Sequence, residues 1–174
     1  MALRPTPGSN AGMNDPAACL IARFGLQRLP GEGGFFRQTW LSPERDAAGR
    51  PLGLAILYLM TPEDFSALHR LRMDEVWHFH AGDAVEHVQL DPKDGGIRRT
   101  RLGPEVSEEE VPQLIVPGGV WQGARLAAGH GQGWALLGCT LAPAWDERDW
   151  EAGQQAALTA EFPAAAEIIR ALTR

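Results

Sequence analysis

The chain has 174 residues, 44% of them hydrophobic and 22% charged, and a formal net charge of −6. That length suits one domain with enough interior to fold without covalent staples, and no apolar run approaches the ~18 residues of a membrane-spanning helix. The basic residues are scattered; the one cluster, Arg98, Arg99 and Arg101, is followed by Glu105, Glu108, Glu109 and Glu110, which reads as solvated loop faces and not as a nucleic-acid footprint.

Residues 1–13 are rich in Pro, Gly, Ser and Asn and lack the apolar stretch of a signal peptide, so they read as a flexible extension of a soluble, cytoplasmic chain. Residues 14–174 read as a single domain. Asn14 or Asp15 caps a helix that Pro16 opens and Gly25 ends, with Ala18, Leu20, Ile21 and Phe24 on its apolar face. From Leu29 to Pro143 short apolar runs alternate with turn signals. LGLAILYLM (52–60) and WALLGCTLAP (134–143) read as buried strands. EVWHFH (75–80) and AVEHVQL (84–90) are further strands, and LIVPGGVWQGARL gives two strand pieces about a Pro-Gly-Gly turn. Strands at this spacing, without helices between them, predict an antiparallel sandwich or barrel. Residues 149–158 and 163–172 read as helices, the second opened by Pro163 with Ala166, Ile169 and Leu172 on one face. Trp145 and Trp150 are expected to dock them.

Chemistry concentrates in HRLRMDEVWHFHAGDAVEH, which holds His69, Glu75, His78, His80 and His87. Side chains alternate along a strand, so Glu75, Trp77 and Phe79 share one face of EVWHFH, and Val76, His78 and His80 the other. Either face can be the inner one. Turning Trp77 and Phe79 inward buries the larger apolar area, at roughly 2–3 kcal/mol each, and is the preferred register. It carries Glu75 inward as well, where desolvation raises its pKa. The two cysteines, Cys19 and Cys139, are far apart and form no CxxC, so they read as reduced core thiols. Lys93, the single lysine, sits in a turn-like DPKDGG segment, which argues against Schiff-base chemistry.

These segments resemble the cupins. Glu75 and Gly82 fit the E-x6-G half of the cupin signature, His69 falls where its first histidine would, and Pro117 and Gly119 fit PxG. Leu71 takes the second histidine's place, Gln122 the last histidine's and Leu126 that of the asparagine. The chain is most similar to the uncharacterised fifth cupin family over roughly residues 25–150, through EGGFFRQTW, SALHRLRMDEVWHFHAGD, VPGGVWQGARL and LLGCTLAPAWDERDW in that order. The resemblance implies an all-β double-stranded β-helix (jelly-roll) barrel over about residues 29–143, with an N-terminal helix, C-terminal helices over about 149–172, a homodimer, and a ligand site at the barrel mouth.

It implies His69 and Glu75 as the catalytic candidates. Arg37, Trp121 and Gln122 are the ligand-binding ones, although Trp121 could equally be core and Arg37 could pair with Asp74 or Glu75. A divalent transition metal would have to use His69, Glu75 and the weak oxygen ligand Gln122, so tight binding is not expected. The function expected is binding of a small polar or anionic molecule. The alternative is an enzyme, either a metal-dependent isomerase or oxygenase or a metal-free epimerase with His69 as base. The SALHR segment is similar to the one carrying that base in dTDP-sugar epimerases. Arg70 and Asp74 are read as flanking the site or forming an ion pair.

Overall fold

A computed structural model describes residues 15–129 and 131–174. The expected extension (1–13), Asn14 and His130 lie outside the described residues. Helix α1 (Pro16–Phe24) starts where Asp15 accepts a hydrogen bond from Ala17 N at 3.0 Å, and ends at Gly25 in the left-handed conformation. Its buried contact is Ala17; Ala18 is exposed, and so is Cys19, which corrects the reading of both cysteines as core thiols. The chain then runs through β1 (Gln27–Arg28), β2 (Phe35–Leu41), β3 (Leu54–Met60), β4 (Ser66–Leu71), β5 (Glu75–Gly82), β6 (Val85–Asp91), β7 (Gly96–Leu102), β8 (Glu110–Val111), β9 (Gln113–Val116), β10 (Trp121–Leu126) and β11 (Ala135–Leu141). It closes with β12 (Trp150–Ala152), α2 (Gln155–Glu161), a 3-10 turn at Pro163–Ala165, and α3 (Ala166–Ala171).

The strands form two six-stranded sheets, ordered β1-β2-β3-β11-β5-β9 and β12-β4-β10-β6-β7-β8. Period-two alternation divides their side chains. Tyr58, Met60, Trp77, Val85, Ala124, Leu137 and Cys139 meet between the sheets as the barrel core. The outer face of the first sheet, at Leu59 and Leu136, is covered by α1. The outer face of the second, at Leu68, Val88, Leu90 and Trp121, is covered by Leu158, Phe162, Ile168, Ile169 and Leu172 of the C-terminal helices. No helix among the described residues is long and apolar enough to cross a membrane.

Two segments differ from their sequence reading. Residues 149–158 are not one helix: Trp150–Ala152 add a strand to the edge of β4, and the helix begins only at Gln155. Gly153 separates the two, packed so closely on the Leu68 carbonyl that a Cβ would lie 2.7 Å from it. Arg98, Arg99 and Arg101 stand on β7 rather than in a loop, where Arg99 pairs with Glu86 and Arg101 with Glu110.

Candidate functional site

At one end of the barrel, a cavity of about 410 Å³ opens between the Leu29–Gly34 loop, the strand faces, and the Trp145–Trp150 segment. Its walls are Leu29, Phe36, Leu54, Ile56, Leu71, Leu141, Trp145 and Trp150, and its polar groups include Glu32, His69, Glu75 and Glu147. β4 points Leu68 outward to the helices, so alternation turns His69 inward, where it is only 2% exposed. Its Nδ1 lies 2.8 Å from the Ala67 carbonyl, which can only accept, so Nδ1 carries the proton. Nε2 is left facing the cavity, 3.7 Å from Glu32 Oε2 and too far for a hydrogen bond.

On β5 the inward face is the one bearing Glu75 and Trp77; His78 bonds Thr140 and Gln113 on the outer side, and His80 is exposed. Glu75 is buried and its Oε2 accepts from Gln122 Nε2 at 2.7 Å. Gln122 Oε1 accepts from Trp77 Nε1 at 2.9 Å and lies 3.4 Å from His87 Nε2. Burial pushes the Glu75 carboxyl pKa up and the negative Glu32 adds to it, with His69 and the Gln122 bond opposing. His87 is fully buried with its ring edge-on to Trp77 at 5.0 Å, and burial lowers its pKa to about 3.

The Glu32 loop is held from beneath. Asp64 Oδ2 accepts from Gly34 N at 2.8 Å and from Arg28 at 2.5 Å, while Oδ1 accepts from Phe65 N and from Arg174. Burial by itself would raise the Asp64 pKa, but Arg174 and these amides outweigh it and hold the carboxyl below its ordinary value. Tyr58 Oη donates to the Gly33 carbonyl at 3.0 Å. Gly34, with φ +70°, lets the loop pass so near that a Cβ would sit 2.5 Å from Tyr58 Oη.

The sequence matches the family described as Cupin superfamily (DUF985) over residues 18–153. The chain belongs to that cupin family. An uncharacterised protein of Saccharomyces cerevisiae, YML079W, is 26% identical over 109 residues, and the chain spans about half (54%) of the length of that relative and aligns over 55% of its own. The solved structure of protein SO0799 from Shewanella oneidensis is similar at a TM-score of 0.83 and 30% identity, covering 93% of this chain and 99% of that one. A hypothetical protein from Leishmania major is similar at 0.82 and 32%, covering 90% and 98%. A dTDP sugar isomerase from Desulfovibrio desulfuricans, at 20% identity and a TM-score of 0.51 over 76% of this chain and 83% of that one, shares the fold alone.

Within this cupin, His69, Glu75 and Gln122 come together as neighbours in space. Arg37 does not join them: on β2 it is Phe36 and Gln38 that face the cavity, and alternation leaves Arg37 exposed on the outside. Trp121 also lies elsewhere, on the outer face beneath the C-terminal helices, with the Arg70 guanidinium 4.4 Å above its ring. Arg70 pairs with Glu151, and Asp74 accepts from Gly118 N, so the expected Arg70–Asp74 pair is not formed. Trp145 and Trp150 wall the cavity instead of docking the helices. The sequence does not mark Glu32, Phe36 or the two tryptophans as site residues, because loops and the pairing of β2 and β12 bring them to the cavity.

The residues do not fit a cupin metal site. Leu71, an apolar side chain, stands where a second histidine would be. The Gln122 oxygen is occupied by the Trp77 N–H, and its NH2 group, a donor, faces Glu75. Among the described residues no three His, Cys, Asp or Glu side chains are grouped to hold a metal ion.

Proposed function

We propose that this cupin binds a small organic molecule in the barrel-mouth cavity, its body against Phe36, Trp145 and Trp150 and its polar head on His69 and Glu75. The observation that carries this reading is the His69 imidazole, whose Nε2 faces a largely apolar-walled cavity of about 410 Å³ and makes no hydrogen bond to the described residues. A ligand donor placed against Nε2 would add a hydrogen bond worth about 0.5–1.5 kcal/mol. An anionic ligand is the less suited occupant, since no arginine or lysine is among the described lining residues. A homodimer and a reducing, cytoplasmic setting belong to the same reading, supported by exposed apolar residues at Trp40, Leu41 and Leu52 and by the free, exposed thiol of Cys19.

A thermal-shift screen of uncharged and charged metabolite-like compounds, run beside His69→Ala, tests the site. Ligands should raise the wild-type Tm, by about 2.7 kcal/mol of stabilisation at a hundred times Kd, and leave the variant's Tm nearly unchanged. Hits that stabilise both proteins equally would place binding elsewhere. A second reading, proton transfer, is favoured by the fixed His69 tautomer: Nδ1–H is committed to Ala67, Nε2 is free to accept, and Glu75 holds its proton more tightly than an ordinary carboxyl. Conversion of a bound hit by wild type that vanishes in His69→Ala would establish it, whereas binding without conversion leaves the protein a binder.

A further inference from the structure

The charges around the cavity are one-sided. Glu32, Glu75 and Glu147 line it against a single imidazole. Arg28 and Arg174 pair with Asp64, and Arg50 pairs with Asp149 and the Ala144 carbonyl, its Nη2 being left without a hydrogen bond; none of the three is among the described lining residues. At the floor, the acceptors are the His69 Nε2 lone pair and the Glu32 and Glu75 carboxylates. The 3.7 Å gap between His69 Nε2 and Glu32 Oε2 is the spacing at which one donor can bond to both, at about 2.9 Å each. Phe36, Trp145 and Trp150 also line the cavity, and aromatic rings attract a cation held against their faces.

On the reading that the cavity holds a small molecule, we infer that its occupant is a primary ammonium on an apolar body, the three N–H donors meeting His69, Glu32 and Glu75. An ammonium carries three donors and no acceptor, one for His69, one for Glu32 and one for Glu75 beside the bond it already accepts from Gln122; a hydroxyl brings one donor, and a carboxylate brings none. The positive charge also adds to what His69 and the Gln122 bond already do in offsetting the repulsion between Glu32 and the buried Glu75.

Three probes of similar shape separate the alternatives: 2-phenylethylamine, 2-phenylethanol and 3-phenylpropionate, measured by calorimetric titration of the full chain at neutral pH. The amine is expected to bind about ten-fold more tightly than the alcohol, with the carboxylate weakest. Glu32→Gln should remove most of the amine's advantage over the alcohol, and Trp145→Ala, at the exposed rim, should weaken all three. Equal binding of amine and alcohol, tighter binding of the carboxylate, or a preference unchanged in Glu32→Gln would each overturn the ammonium assignment while leaving the cavity as a binding site. Failure of all three probes to bind wild type would overturn both the assignment and the binding reading.

Discussion

His87 gives the barrel a buried group whose protonation opposes folding. Packed edge-on against Trp77 and held neutral, it resists protonation until about pH 3, while in the unfolded chain it titrates near the ordinary 6.5. The unfolded state therefore binds more protons between these values, and stability falls as the pH drops from 6.5 towards 3. His87→Phe keeps the ring contact and removes the proton site. Urea midpoints between pH 7 and 4 should fall less steeply for the variant than for wild type; parallel curves would show that His87 does not govern acid unfolding. The same burial logic acts on Glu75 with the opposite sign, its raised pKa withdrawing stability as the pH rises above the ordinary carboxyl range.

Among the elements, the Leu29–Gly34 loop decides whether Glu32 meets His69. Asp64 joins that loop to Arg28, Arg174 and the Phe65 amide through both its oxygens. Asp64→Asn should cost about 1–3 kcal/mol of stability, read from urea unfolding, and should also weaken cavity ligands. Lost stability with unchanged binding would mean that the loop is held by Tyr58 and the glycine turn without Asp64. What the sequence makes visible here follows from range. The β5 alternation that turns Glu75 inward is a two-residue pattern, and Asp15, Pro16 and Gly25 mark α1 locally. Glu32 carries no local mark of its role, since the β1–β2 hairpin and a carboxylate 32 residues further along the chain position it. Residues 150–152 carry an ordinary helical pattern that pairing with the open edge of β4 overrides. The outward position of Arg37 has a similar origin, since strand register fixes which of Phe36 and Arg37 faces in.

For the whole molecule, both sheets have their outer faces covered, one by α1 and the other by α2 and α3, yet Trp40, Leu41 and Leu52 remain 49%, 40% and 44% exposed. Large apolar side chains left in water near one another favour self-association. With 18.9 kDa per chain, light scattering coupled to size exclusion should give about twice that mass, and Trp40→Glu should shift it towards the single-chain value. A single-chain mass for wild type at micromolar concentration would dispose of the dimer. The Arg174 guanidinium reaches the Glu32 carbonyl across 142 positions of sequence, and the cavity's two lips, at 29–34 and 145–150, belong to opposite ends of the fold. Contacts of that span rest on the native pairing of the strands between them, since a longer loop is entropically costlier to close without that pairing. The pocket is thus a property of the finished topology: its two lips lie more than a hundred residues apart in the chain, and no single hairpin contains both.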